Sequence, residues 1–262
     1  MGRKVLSTGG YLTYTASSAP SASALSIAQW FLLTNTSAAG FTLCGFGSTV
    51  NSANYFGAGI AISGGSSKCN AFSDAGSGES DAIGPTISLN TWHLIVATFN
   101  GTTTTCYTDG GNVATAGENN PSAGNVKVVT LGALQDGGAG VLSRPTVPVI
   151  LGPTAIFTTV LTALEISDMY YSRRPLNTYR PNALWSYWSL VARNGSIEPD
   201  NSGFGRHLSL VSNPPPALDP PINYPRRASQ FSSWTSLAPS VQLLRPVISN
   251  PWPKYDRWDY YP

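Results

Sequence analysis

Thr91–Gly111 reads TWHLIVATFNGTTTTCYTDGG. On an extended chain Trp92, Leu94, Val96 and Thr98 point one way, while His93, Ile95, Ala97 and Phe99 point the other. Both sets are largely apolar, which is the pattern of a strand covered on both faces and not of one lying on water. Asn100-Gly101 suits the positive-φ pair of a tight hairpin turn. Thr102–Thr108 follows as a second strand, rich in β-branched residues, and Asp109-Gly110-Gly111 predicts another turn. A hairpin of this kind needs sheet on either side of it, and the flanking sequence supplies candidates.

Upstream, Gly10–Thr15, Leu25–Leu33, Phe41–Phe46 and Tyr55–Ser63 read as strands, with a short one at Cys69–Phe72. Ser73–Gly84 reads as a polar loop. Downstream, Val126–Leu131 and Val147–Phe157 are strand candidates, and Tyr187–Leu190 with His207–Val211 make a last pair. The one helix predicted is Ala163–Tyr171: Thr162 and Glu165 have capping-box spacing, Pro175 stops it, and Leu164, Ile166, Met169 and Tyr170 can lie on a sheet. Many short strands with one helix predict an all-β, antiparallel jelly-roll β-sandwich over residues 1–213.

The composition narrows the function. With 262 residues and 42% hydrophobic content the chain can bury a sizeable core, yet only 11% of residues are charged, against about 25% in ordinary soluble domains. A net charge of +2 with scattered Lys and Arg leaves no basic face for nucleic acid. No apolar run is long enough for a membrane span, and the basic opening MGRKVLSTGG lacks the apolar core of a signal peptide. Cys44, Cys69 and Cys106 are odd in number and lack metal-site spacing, so free, largely buried thiols in a protein made in a reducing cytoplasm are expected. So little surface charge points to association, with a homo-oligomer as the expectation.

From residue 214 the character changes. Eleven of the last 49 residues are proline, interleaved with aromatic residues. Proline removes ladder donors, so residues 214–262 are expected to form an extended, partly polyproline C-terminal arm. Tyr224, Arg226, Arg227, Trp234, Trp252, Tyr255, Arg257, Trp258, Tyr260 and Tyr261 are residue types that anchor interfaces, and they are the candidate assembly contacts.

The order LSIAQWFLL, NTWHLIVATFNGTTTTCYTDGG, VPVILGPTAIFTTVLTALEISDMYYSRRP resembles the concanavalin A-like lectin/glucanase superfamily, in its laminin-G-like or pentraxin-like jelly-roll branch. LWSYWSLV, DNSGFGRHLSLV (Asp200–Val211) and PPINYP (Pro220–Pro225) narrow the likeness to the form found in bacteriophage structural proteins. That resemblance implies a virion component, assembled in the host cytoplasm: a capsid decoration or head-fibre protein whose partners are the major capsid protein or other virion proteins. The alternative it implies is a lectin-like, glycan-binding module for host-surface adhesion.

Glucanases of the superfamily carry E-x-D-x-x-E on a strand, because hydrolysis needs carboxyls on both sides of the bond. The thirteen acidic residues are read as offering no such spacing on a strand, Glu165 and Asp168 belong to the helix, and His93 and His207 have no nucleophile motif beside them. A non-enzymatic protein without a required cofactor is expected. Calcium, bound by some relatives, has candidate ligands in Asp74, Glu79 and Asp81, or in Asp109 and Asp136, but no recognisable ligand set. Candidate glycan contacts are Tyr55, Phe72, Asn119 and Asn120.

Overall fold

The computed structural model describes residues 2–5, 10–18, 20, 24–50, 54–76, 78–117, 126–137, 140–191, 195–212, 214–217 and 219–223. Its strands are β1 (Gly2–Val5), β2 (Tyr11–Thr15), β3 (Leu25–Leu33), β4 (Phe41–Gly47), β5 (Asn54–Ser63), β6 (Ser66–Ala75), β7 (Ser80–Thr86), β8 (Trp92–Phe99) and β9 (Thr104–Thr108). There follow β10 (Gly111–Ala116), β11 (Val128–Leu131), β12 (Leu134–Asp136), β13 (Gly140–Leu142), β14 (Val149–Phe157), the helix α1 (Ala163–Ser172), β15 (Leu184–Trp188), β16 (Ile197–Glu198), β17 (Leu208–Val211) and β18 (Pro216–Ala217). The first sheet has the order β10-β9-β8-β3-β14-β1-β18, with β15 also on β14; the second runs β16-β17-β2-β11-β4-β5-β6-β7; β12 and β13 form a small ribbon. The two large sheets make the jelly-roll sandwich, and every pairing between named strands is antiparallel.

The two faces of β8 explain the layers. Ile95, Ala97 and Phe99 point between the sheets and meet Ile27, Phe31, Phe46 and Phe56 in the main core. Leu94 and Val96 point outward and join Trp30, Ala155 and Phe157 beneath Ile166 and Met169 of α1. Burying each such side chain stabilises the fold by about 1.5–3 kcal/mol, so the doubly apolar strand is what allows a helical layer outside a sandwich. Cys44, Cys69 and Cys106 are free and buried in the main core.

The helix starts at the predicted capping box: Thr162 Oγ1 accepts the Glu165 N–H at 3.3 Å, and Glu165 Oε2 accepts the Thr162 N–H at 2.8 Å. Leu164 departs from expectation. It is 80% exposed, because the sheet-facing stripe is Ile166, Met169 and Tyr170, whose ring stacks on Trp30 at 5.9 Å, and Leu164 lies across the helix from it.

The turns also differ in detail. Gly101 takes φ 93°, while Asn100 works through its side chain, Oδ1 accepting the N–H groups of Thr102 and Thr103 at 2.9 and 2.8 Å. The positive-φ pair is instead Asp109-Gly110, at 53° and 77°, in the two-residue link between β9 and β10.

Three further differences matter. Ser73–Gly84 is not one loop: β6 continues to Ala75 and β7 begins at Ser80, and only the turn between them is irregular. Its polarity has a simple cause, since β7 is an edge strand with one wet face. The expected last pair is not a pair; β15 joins β14 in the first sheet, and β17 joins β2 in the second. Finally, Pro214–Asn223 belongs to the sandwich. Pro216 and Ala217 pair with Arg3 and Gly2 at a sheet edge, where a missing N–H is tolerated, and Asn223 bonds the Arg173 and Ser172 carbonyls at the end of α1.

Candidate functional site

The outward face of the second sheet is floored by glycine. A Cβ on Gly47 would sit 1.8 Å from the Gln135 carbonyl oxygen, one on Gly57 would sit 2.5 Å from the Phe72 ring, and one on Gly45 would sit 3.0 Å from Leu134. The β12–β13 ribbon and the Phe72 ring therefore press on bare backbone. Beside them opens a groove of about 270 Å³, lined by the apolar Leu134 and Phe72 and by the polar Asn70, Glu79, Asp81, Thr42 and Ser143; Phe41 also borders it, though its side chain belongs to the main core.

The polar wall follows from strand register. Phe72 of β6 pairs with Asp81 of β7, so Glu79 and Asp81, two residues apart, share the face that carries Asn70 and Phe72. Asn70 Nδ2 donates to Asp81 Oδ1 at 2.6 Å, and Asn70 Oδ1 has no partner. Tyr55 donates its hydroxyl to Glu79 Oε2 at 2.8 Å. Burial raises the Glu79 carboxyl above the ordinary range; the Tyr55 hydrogen bond opposes this, and the neighbouring Asp81 and Asp74 add to the rise. Burial, with Glu79 next, also pushes the Tyr55 phenol up, so it remains a donor.

The structure brings together residues that the sequence placed under two separate hypotheses. Tyr55 and Phe72, the glycan candidates, pack edge to face at 5.8 Å and bury themselves against Leu134. At 9% and 5% exposure they are core residues, of which Phe72 lines the groove, and neither offers an open face for stacking. Glu79 and Asp81, calcium candidates, supply the carboxylates of the same groove. Asp74 instead accepts the Gly76 N–H at 2.6 Å and shapes the β6–β7 turn. Among the described residues no three His, Cys, Asp or Glu side chains converge on one metal position, and the five calcium candidates do not form a shell. Asn119 and Asn120 lie outside the described residues, as do Tyr224, Arg226, Arg227, Trp234, Trp252, Tyr255, Arg257, Trp258, Tyr260 and Tyr261.

Two arrangements have the composition of catalytic sites. Glu79 and Asp81 hold the first two places of E-x-D-x-x-E, but Gly84 stands at the third. Ser88, His93 and Asp109 form a hydrogen-bonded chain, with His93 Nε2 3.1 Å from Ser88 Oγ and Nδ1 2.7 Å from Asp109 Oδ2. The Ser88 carbonyl oxygen, however, lies 3.0 Å from the same Nε2, and in the doubly protonated ring it accepts the Nε2–H, which leaves no lone pair there for activating the hydroxyl. Burial alone would lower the His93 pKa, but the hydrogen bond and charge of Asp109 and the Ser88 carbonyl together raise it. Asp109 Oδ1 also accepts the Leu94 N–H at 3.0 Å, which makes His93 a strut between the β7–β8 loop and the β9–β10 turn. Glu165 and Asp168 serve α1: Arg180 and the cap lower Glu165 to about 2, and Tyr179 with Arg174 lowers Asp168.

The Asp200–Leu208 segment is likewise structural. Asp200 accepts the N–H groups of Tyr187, Ser202 and Arg206 at 3.1, 2.9 and 3.0 Å and the Ser202 hydroxyl at 2.8 Å, while Arg206 lies over the Trp185 ring at 4.4 Å. This knot links β15 of one sheet to the strand that enters the other.

A family model described as the concanavalin A-like lectin/glucanase superfamily matches residues 6–167. The chain belongs to this superfamily. Among solved structures with the superfamily's sandwich, a heptameric SAP-like pentraxin from Limulus polyphemus superposes with a TM-score of 0.50 at 16% identity, over 64% of this chain and 81% of that one. A candidate carbohydrate-binding protein from Bacteroides ovatus gives 0.54 at 14% identity, over 80% and 57%. Tailspike protein 2 of the Escherichia coli O157:H7 bacteriophage CAB120 gives 0.52 at 15% identity, over 72% and 26%. The chain thus spans most of the pentraxin and smaller parts of the other two, and the likeness is one of fold. No curated protein matches the sequence.

Proposed function

We propose that this superfamily member is a non-enzymatic binding module that holds a glycan in the groove of its second sheet. The observation that carries this is one groove that sets the polar side chains Asn70, Glu79 and Asp81 next to the apolar side chains Phe72 and Leu134 around a single-ring-sized space. A sugar has the matching character, with hydroxyls around its rim and C–H groups on its faces. The gap at Gly84, where a third carboxylate would stand, and the engaged Nε2 of His93 favour binding over hydrolysis. A glycan array probed with the full chain tests the reading. Binding to at least one glycan class, abolished by Asn70→Ala, is expected; a blank array would remove it.

We also propose that the module is carried on a bacteriophage virion, assembled in the host cytoplasm as a homo-oligomer. In this reading the proline- and aromatic-rich segment from residue 224 onward grips the major capsid protein or another virion protein. The composition of that segment and the low charge of the whole chain support it, as does the occurrence of the same fold in a phage tailspike. The cut that tests it falls after Asn223, because Pro214–Asn223 is bound into the sandwich. A chain lacking residues 224–262 should fold and fail to join particles. Particles carrying the truncated chain at full occupancy would refute the role of that segment.

A further inference from the structure

The groove has an unbalanced set of polar atoms. Its charged side chains are the carboxylates of Glu79 and Asp81, beside the neutral hydroxyls of Thr42 and Ser143 and the amide of Asn70. Asn70 is only 7% exposed, its Nδ2 is committed to Asp81 at 2.6 Å, and its Oδ1 has no hydrogen-bond partner. The one nearby phenolic donor, on Tyr55, is spent on Glu79 at 2.8 Å. Among the described residues no Lys or Arg lines the groove. A buried acceptor without a donor costs free energy, and so do two carboxylates held on the same face of one strand. Burial and the charge of Asp81 lead Glu79 to retain a proton more readily than an ordinary glutamate. A ligand that brings N–H donors and positive charge relieves both penalties together, through charge-assisted hydrogen bonds.

We infer that the groove selects a sugar residue bearing a free, protonated amine over neutral and anionic sugars, an inference that rests on the groove being the glycan site proposed above. The ammonium group sits between Asp81 and Glu79, with Asn70 Oδ1 as a further acceptor. The ring's C–H face lies toward Leu134 and the edge of Phe72. The volume of about 270 Å³ admits one ring and leaves a longer chain to run out over the open side. An anionic sugar meets two carboxylates and, among the described residues, no cationic side chain.

Isothermal titration of the full chain near pH 6.5 with glucosamine, glucose, N-acetylglucosamine and N-acetylneuraminic acid tests this. Glucosamine should bind at least about tenfold tighter than glucose or N-acetylglucosamine, and N-acetylneuraminic acid should give no heat. Asp81→Asn should lower glucosamine affinity by about tenfold and so erase most of its margin over glucose. Equal affinity for glucose and glucosamine would overturn the charge selection and leave the glycan reading standing. Failure of all four sugars at millimolar concentration would bring down both. Glucosamine binding unaffected by Asp81→Asn and by Glu79→Gln would place the ligand elsewhere and overturn the inference. The sugar series on the unaltered protein decides the matter even if a variant folds poorly.

Discussion

Arg3 and Glu198, separated by 195 positions in the chain, form an ion pair inside the protein. Arg3 Nη2 lies 3.2 Å from Glu198 Oε2, and the two side chains are 2% and 0% exposed. Nη1 donates to the Pro214 carbonyl at 3.0 Å, so one guanidinium ties together β1, β16 and the segment entering β18.

A single substitution here strands a buried charge. Arg3→Met or Glu198→Gln should cost about 3–5 kcal/mol in a denaturant titration. The double variant Arg3→Met, Glu198→Leu should recover most of that loss, because no uncompensated charge remains. A double variant as unstable as the worse single one would show that the pair's worth lies in packing.

His93 makes stability depend on pH. Its folded pKa lies above the unfolded value of about 6.5, so the stabilisation from Asp109 and the Ser88 carbonyl is fully present below that value. It is lost as pH rises through the folded pKa. Melting temperature should therefore fall as pH rises above about 6.5, and His93→Gln should flatten that slope while costing about 1.5–3 kcal/mol at low pH. An unchanged slope in the variant would exclude His93 as its source.

Asp200 works in the opposite direction. Burial would raise its pKa, but the Ser202 hydroxyl and the N–H groups of Ser202, Tyr187 and Arg206 outweigh that and lower it. Its contribution is present above the unfolded aspartate value of about 3.9 and lost as pH falls through the lower folded value. Asp200→Asn, which sets an NH2 group against donors, should cost about 2–3 kcal/mol at neutral pH and reduce the loss of stability in acid.

The glycine floor is tested by Gly47→Ala. The new methyl would lie 1.8 Å from the Gln135 carbonyl oxygen, so the β12–β13 ribbon must shift. A loss of about 1–3 kcal/mol is expected, together with faster amide exchange confined to the ribbon. Gly111→Ala is the control, since a Cβ there meets nothing within 4 Å. It should change stability by no more than about 0.5 kcal/mol.

Much of the fold is legible in local pattern. The doubly apolar 92–99 run, the β-branched run after it and the Thr162/Glu165 box each state their own conformation, because propensity, capping and alternation act within a few residues. β7 was hidden for a physical reason: an edge strand with one wet face has the composition of a loop, as Ser80, Asp81 and Gly84 show. β1 and β18 are too short to carry a period, and they are held by Arg3 and the Pro214 carbonyl. In the groove, the sequence names Tyr55, Phe72, Glu79 and Asp81 as chemistry-bearing residues but not as neighbours, and it passes over Asn70.

What the chain determines unaided is a two-layered β body, because alternation and turn chemistry are local properties, and the order of its motifs carries the resemblance to the concanavalin A-like type. Which side chains face one another is decided only when the strands pair. Register sets Asp81 beside Phe72 and Asn70, and bare glycine backbone lets a ribbon settle near enough to make a wall. Long-range pairing has no short-range signature, so the groove exists in the tertiary structure alone.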